Sequence, residues 1–187
     1  MWPWEHLAVG YLLCSICFRL AGRRVDAPAA LALAVGTQFP DLVDKPLAWS
    51  FGVLQSGVSL AHSVLVAPLV ALAVAGLARR TGHAPVGVAF AVGYLSHLPA
   101  DLLYPLLVGG PVVPEAYLWP VVVVPSSASG SLLATVLAFA ERSAAVAVGP
   151  RGALYLGVEL LLLGAAVALW VADGRPGLPR PAAEPSA

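Results

Sequence analysis

The sequence predicts an all-α protein, a polytopic bundle embedded in a membrane with five or six membrane helices. Three observations predict it. Of 187 residues, 59% are hydrophobic and 11% charged, against about half and about a quarter in a soluble globular domain. Mean hydropathy is +0.86. Several apolar runs approach the roughly 20 residues that a helix needs to cross the hydrocarbon core. This composition excludes a disordered chain, a collagen-like fibre and an ordinary soluble enzyme. Ten Lys and Arg balance ten Asp and Glu, so no basic excess points to nucleic acid as a partner.

The first helix is expected over about residues 4–22, between Trp2 and Trp4 on one side and Arg23 and Arg24 on the other. Aromatic and basic flanks of this kind mark membrane interfaces. It does not read as a secretory signal, because its arginines follow the apolar stretch. Cys14 and Cys17 lie inside that stretch and read as packing residues, since a redox Cys-x-x-Cys normally sits at a helix start. Residues 27–40 predict a short helix ended by Pro40. Residues 60–78 and 84–108 predict two membrane helices, the first closed by Arg79 and Arg80. Residues 109–131 hold four prolines and a Ser/Gly cluster, and predict a long loop with an extended piece at the Val121–Val124 run. Residues 131–147 read as helical, either crossing the membrane or lying along it, because Glu141 and Arg142 interrupt the apolar run. Residues 152–171 predict a last membrane helix with Glu159 inside it, read as a helix–helix contact. One membrane domain therefore spans 1–172, and 173–187 reads as a Pro-rich disordered tail.

Arg19, Arg23, Arg24, Arg79 and Arg80 fall on one side of this arrangement, which the positive-inside rule makes cytoplasmic. The side of the C-terminus depends on whether 131–147 crosses.

The rare polar residues follow a pattern. His6 opens the first helix, Asp41 and Asp44 follow the second, His62 and Ser63 open the third, and His97 and Asp101 lie late in the fourth. Successive helices alternate in direction, so all of these fall at one membrane side, opposite the arginine clusters. His97 and Asp101 are i and i+4 and share a helix face. Imidazole nitrogen and carboxylate oxygen are the usual ligands of zinc and similar divalent ions. A buried Asp in a membrane helix costs about 2.5–3.5 kcal/mol on insertion scales and tends to mark a site. His6, Asp41, His62, His97 and Asp101 are therefore candidate metal ligands, and Asp44, Asp41 or Asp101 a candidate proton acceptor. Blander readings stand beside these: a His62–Ser63 cap, a structural His97–Asp101 pair, a solvated His6, and an Asp44–Lys45 surface ion pair. His83, in a loop at the opposite end, reads as solvated.

In this order the motifs resemble those of the YdjM-like membrane-bound metal-dependent hydrolases. The family's N-terminal His, Pro-Asp, Thr-His-Ser-like and Gly-Tyr-x-x-His-x-x-x-Asp elements correspond to His6, Pro40-Asp41, Ala61-His62-Ser63 and Gly93-Tyr94 through His97 and Asp101. Leu118-Trp119-Pro120 is similar to its later Trp-Pro element. The resemblance covers about residues 1–125. Two family features have no counterpart: a His or Arg in the stretch 56–60, and an acid at position 43, where Val43 stands.

The resemblance implies hydrolysis by metal-activated water, with an ester or phosphoester as substrate. The cofactor expected is a divalent metal ion, zinc foremost. A site at headgroup depth, on the non-cytoplasmic side of the cell membrane, favours a membrane lipid. Loop 109–131 would cover it, with Trp119 at the interface and Ser63 orienting the His62 ring. Two alternatives remain open: a metal-binding membrane transporter, and a structural membrane protein whose His and Asp residues only hydrogen-bond. Transport sites usually lie near the midplane between repeated halves, and no repeat is visible. The intramembrane-protease signature His-Glu-x-x-His is absent.

Overall fold

The computed structural model describes residues 1–125 and 132–178. These form six α-helices and no strand. They are α1 (Pro3–Leu20), α2 (Ala27–Trp49), α3 (Ala67–Arg80), α4 (Ala84–Val108), α5 (Leu132–Val148) and α6 (Gly152–Ala172), with a short 3-10 helix at Pro114–Leu118. α4 and α6 are each long and apolar enough to cross a membrane.

Helix starts follow local chemistry. Pro3, Pro28, Pro68 and Pro85 occupy first-turn positions, where a missing N–H costs nothing. Asp26 caps α2 by accepting the Ala29 amide at 3.0 Å. Glu5 reaches back to the Trp2 amide at 2.5 Å. α4 stops at Gly109, which takes φ 83°, a left-handed conformation that suits glycine.

Two expected boundaries are corrected. α2 does not end at Pro40 but runs through Pro40 and Pro46 to Trp49. A proline inside a helix removes one hydrogen bond, and here α2 packs more extensively against α4 than against any other helix. Asp41 and Asp44 therefore stand on the helix, one turn apart. The third helix begins at Ala67 rather than residue 60, so His62 lies in an irregular segment before it. The amides of Ser59, Ala61 and His62 all point to one carboxylate, that of Asp44, at 2.8, 2.9 and 3.1 Å. They are unavailable for a helical ladder.

Other expectations resolve as follows. Val121–Val124 form no strand, only a turn and irregular chain. The loop's Ser/Gly cluster at 126–131 lies outside the described residues. Residues 132–148 are helical as expected, with Glu141 and Arg142 exposed. Cys14 is buried in the core and Cys17 exposed, both as free thiols. Glu159 accepts from the Trp4 indole at 3.0 Å, a contact between α6 and α1. Asp173, at the start of the expected tail, is buried and accepts from Tyr11 Oη (3.1 Å), Ser15 Oγ (2.7 Å) and Arg19 Nη2 (2.6 Å). That cluster ties the ends of α1 and α6 together. Residues 179–187 lie outside the described residues.

Glycines set the spacing around the other end. A Cβ at Gly93 of α4 would stand 2.6 Å from the Leu33 carbonyl and 3.0 Å from the Thr37 amide of α2. Gly36 of α2 meets the Phe90 backbone, and Gly10 of α1 meets Thr37. With no side chain at Gly36 and Gly93, α2 and α4 approach backbone to backbone, while Gly10 of α1 makes room for the Thr37 side chain. Cores on both sides of α4 complete the packing, one of Tyr11, Cys14, Phe18, Leu33 and Ala89, the other of Ala67, Ala71, Phe90, Tyr94, Leu98 and Tyr117.

Candidate metal centre

The close approach of α1, α2 and α4 brings His6, Asp41, His97 and Asp101 to one end of the bundle, and the segment before α3 adds His62. The two imidazoles of His62 and His97 turn their Nε2 atoms toward each other at 3.2 Å. Asp41 Oδ1 lies 3.5 Å from His62 Nε2 and 3.7 Å from His97 Nε2. Asp101 Oδ2 lies 3.8 and 3.4 Å from the same two nitrogens. Both histidine side chains are fully buried, while Asp41 and Asp101 keep 12% and 15% exposure, so the centre opens through its carboxylates.

The outer faces of the two rings decide what the inner faces are. His97 Nδ1 is 2.7 Å from the Thr37 carbonyl oxygen, which only accepts, so Nδ1 carries the proton. His62 Nδ1 is 2.8 Å from Asp44 Oδ2, and an ionised carboxylate also only accepts. In the neutral rings both Nε2 atoms are then bare lone pairs. Two nitrogen lone pairs and two carboxylate oxygens converge, an arrangement that repels itself unless a proton or a metal cation joins it.

The spacing fits a metal ion. Ligands about 2.0–2.1 Å from a tetrahedral ion lie about 3.3 Å apart. The observed separations of 3.2–3.8 Å surround that value. One ligand atom from each of Asp41, His62, His97 and Asp101 lies within 4.8 Å of the other three. The donor set of two imidazoles and two carboxylates suits zinc and similar divalent ions. Both rings also show the outer hydrogen bond that fixes a metal-binding tautomer.

A family profile for YdjM inner membrane proteins matches residues 1–175. The chain belongs to the YdjM inner membrane protein family. No curated protein and no solved structure matches it. Family membership and the apolar helices α4 and α6 together place the protein in a membrane.

In this YdjM-family chain the remaining candidates take distinct places. His6 is fully buried, stacks on His97 with ring centroids 3.7 Å apart, and sets Nε2 3.1 Å from Asp101 Oδ1. Neither of its ring nitrogens has a hydrogen-bond partner among the described residues. It thus stands beside the four-residue group. The Met1 amino nitrogen also lies 2.7 Å from Asp101 Oδ1. Asp44 is set behind His62, not in the centre: its two oxygens take three backbone amides and the His62 ring. Lys45 pairs with Asp41, not with Asp44. His83 is exposed at the other end.

Some functional contacts had no sequence signal. The Thr37 carbonyl is backbone, so no motif announces it. Tyr94 donates to the Ala61 carbonyl at 2.8 Å, and its place in Gly-Tyr-x-x-His was the available clue. Ser63 does not orient the His62 ring; Asp44 does. Ser63 Oγ instead donates to the Trp119 carbonyl at 2.5 Å, and the Val64 amide donates to the Tyr117 carbonyl at 2.9 Å. These bonds pin the loop after α4 over the site and set the Tyr117 ring 6.3 Å from that of His62. Burial raises the Tyr117 hydroxyl pKa, and the Asp101 and Asp41 charges raise it further. The hydroxyl therefore stays neutral next to the carboxylates.

Proposed function

We propose that this protein is a multi-pass membrane hydrolase, with five or six membrane helices, that uses a divalent metal ion to cleave an ester or phosphoester of a membrane lipid. The observation that carries this reading is the facing pair of His62 and His97 lone pairs, flanked by Asp41 and Asp101. Those four residues would hold the ion, with zinc the ion their donor atoms suit best. His6 would lie beside it as an additional donor. When bound, such an ion lowers the pKa of a water molecule to about 7 and polarises the scissile group.

The chain's own residues supply orientation and proton handling. Asp44 fixes His62 from behind, and the Thr37 carbonyl fixes His97. With four donors on its two oxygens, Asp44 is a positioning residue in this reading rather than a proton acceptor. Asp101 Oδ1 faces away from the imidazole pair, toward His6, but it already pairs with the Met1 amino group at 2.7 Å, so it can take a proton from water only when that pair opens. Asp41 can share that task only through Oδ1, because Oδ2 is paired with Lys45. Tyr117 and the loop pinned by Ser63 limit access to bulk water.

The arginine clusters at 19–24 and 79–80 lie at the opposite end of the bundle, which favours the non-cytoplasmic face for the site. That end position also favours hydrolysis over transport, whose sites lie near the midplane.

The test is direct. Purified in detergent, the wild type should carry a divalent metal, and His97→Ala and Asp101→Ala should lose it. Metal-free wild type, or metal retained by both variants, overturns the assignment. With metal bound, release of product from a panel of lipid esters and phosphodiesters supports hydrolysis. Uptake of metal into vesicles without any hydrolysis supports the transporter instead.

A further inference from the structure

Asp41 and Asp101 divide their oxygens in the same way. One oxygen of each turns inward to the imidazole pair, Asp41 Oδ1 and Asp101 Oδ2. The other turns outward to an ammonium group, Asp41 Oδ2 to Lys45 Nζ and Asp101 Oδ1 to the Met1 amino nitrogen. Of these two cations Lys45 is the more exposed, its side chain at 29% against 10%. It is also more exposed than either carboxylate. Lys45 therefore stands at the outer edge of the opening that the carboxylates form.

More than charge holds it there. Lys45 is the chain's only lysine, and it lies one helical turn from Asp41 on one side and from Trp49 on the other. Nζ stands 5.9 Å from the centre of the Trp49 ring, within cation–π range. That ring is itself fixed, because a Cβ at Gly57 would meet it at 2.8 Å. The indole thus rests on the segment whose later amides, those of Ser59, Ala61 and His62, go to Asp44. An ammonium group carries three donors. Asp41 Oδ2 is its one hydrogen-bond acceptor among the described residues, which leaves two donors for an incoming group.

Charge selects that group. The rings of His62 and His97 are neutral, and the charge of Asp44 is met behind His62 by four donors. With a divalent ion in the centre, the charges of Asp41 and Asp101 are matched, and Lys45 is left at the mouth without a counter-charge. Its flexible four-carbon stem lets Nζ leave Asp41 Oδ2 for a neighbouring anion while α2 stays in place. A carboxylic ester brings no charge to this position. A phosphoester brings an ionised non-bridging oxygen, and a hydrogen bond between charged groups is about twice as strong as one between neutral groups.

We infer that Lys45 receives an anionic phosphoryl oxygen of the substrate, so that the centre takes phosphoesters in preference to carboxylic esters. The inference rests on the hydrolase reading for the reaction, but the binding is measured without turnover. Zinc-loaded protein in detergent, freed of unbound zinc, is titrated with inorganic phosphate by calorimetry. Wild type should bind phosphate, and Lys45→Arg should keep most of that affinity. Lys45→Gln should weaken it about tenfold, the effect of losing one hydrogen bond between charged groups. Metal content should be equal in all three, because Lys45 is not a ligand. A second measurement uses wild type alone. Reductive methylation with peptide mapping reads the reactivity of Lys45, and saturating phosphate should slow it severalfold. In turnover, Lys45→Gln should raise KM for a phosphodiester about tenfold with little change in kcat, the pattern of lost substrate binding.

Equal phosphate affinity in wild type and Lys45→Gln, or methylation indifferent to phosphate, overturns the inference. Loss of metal in Lys45→Gln, with no protection of wild-type Lys45 by phosphate, makes the residue a counter-ion of Asp41 only and overturns it as well. Two competitors name the source of the phosphoryl group, and either order keeps Lys45 as its receptor. Phosphatidic acid in the micelle displacing phosphate more readily than glycerol phosphate in solution points to a lipid headgroup, and the reverse points to a soluble phosphoester. If phosphate binding depends on Lys45 but no ester is cleaved, the hydrolase reading fails and the inference stands. If carboxylic esters are cleaved and phosphate does not bind, the inference fails and hydrolysis stands.

Discussion

His62 Nε2 and His97 Nε2 face each other at 3.2 Å in the interior of the bundle. Each ring is turned that way by an acceptor on its far side, Asp44 for one and the Thr37 carbonyl for the other. Neither partner lies in the same element as the ring it orients. The centre is thus assembled from the outside inward, and its predictions follow from the supporting bonds as much as from the ligands.

Loss of the metal should destabilise the fold. A ligand that binds the native state at about 100-fold above its Kd contributes about 2.7 kcal/mol. Adding a chelator to metal-loaded protein in detergent should lower the thermal midpoint by several degrees, and restoring zinc should recover it. A midpoint indifferent to chelation would show that no cation joins the four donors.

Asp44→Ala removes the acceptor of three amides and one imidazole, all buried. Leaving such donors unpaired costs about 1–3 kcal/mol or more, and loss of an orienting carboxylate typically weakens metal binding by about 10–100-fold. Metal titration and thermal unfolding read the two effects. Asp44→Asn keeps the size and part of the acceptor capacity, and should fall between wild type and Ala. Equal metal affinity in all three would remove Asp44 from the site's support.

Gly93→Ala puts a methyl 2.6 Å from the Leu33 carbonyl. α2 and α4 must separate, at a cost of about 1–3 kcal/mol. Because Asp41 and His97 ride on those helices, metal affinity should fall with stability. Gly76→Ala, where a Cβ meets nothing within 4 Å, is the matched control: it should leave metal affinity unchanged and raise stability by about 0.5–1 kcal/mol, the helix preference for Ala over Gly.

Asp173→Asn tests the opposite end. It removes the negative charge that Arg19 pairs with and weakens the bonds from Tyr11 and Ser15. A lower thermal midpoint with unchanged metal content is expected. Metal loss would mean that the two ends of the bundle are not independent.

Much of the site is legible in the sequence. His6, Asp41, His62, His97 and Asp101 stand out because polar residues are costly in so apolar a chain, and alternating helix directions collect them at one end. That logic holds despite two misplaced boundaries. The helix that runs past Pro40 and the helix that starts after His62 shift the local geometry, yet the residues still meet. Proline misleads because its local cost is outweighed by packing against α4. His62 misleads because apolar residues flank His62 and Ser63 on both sides within 60–66, while the pull of Asp44 on three amides is a contact 15–18 residues away in sequence.

By itself, the sequence determined the helical class, the apolar setting and which side chains are available as ligands. These follow from composition, from period and from the cost of burying charge, all of which are local properties. The tertiary structure decided the rest. It put Asp44 behind His62 rather than in the centre, set His6 beside the four-residue group, and pointed both Nε2 atoms inward. Those outcomes depend on which acceptor meets which ring. Backbone carbonyls and glycine contacts between distant helices decide that, and neither leaves a residue pattern to read.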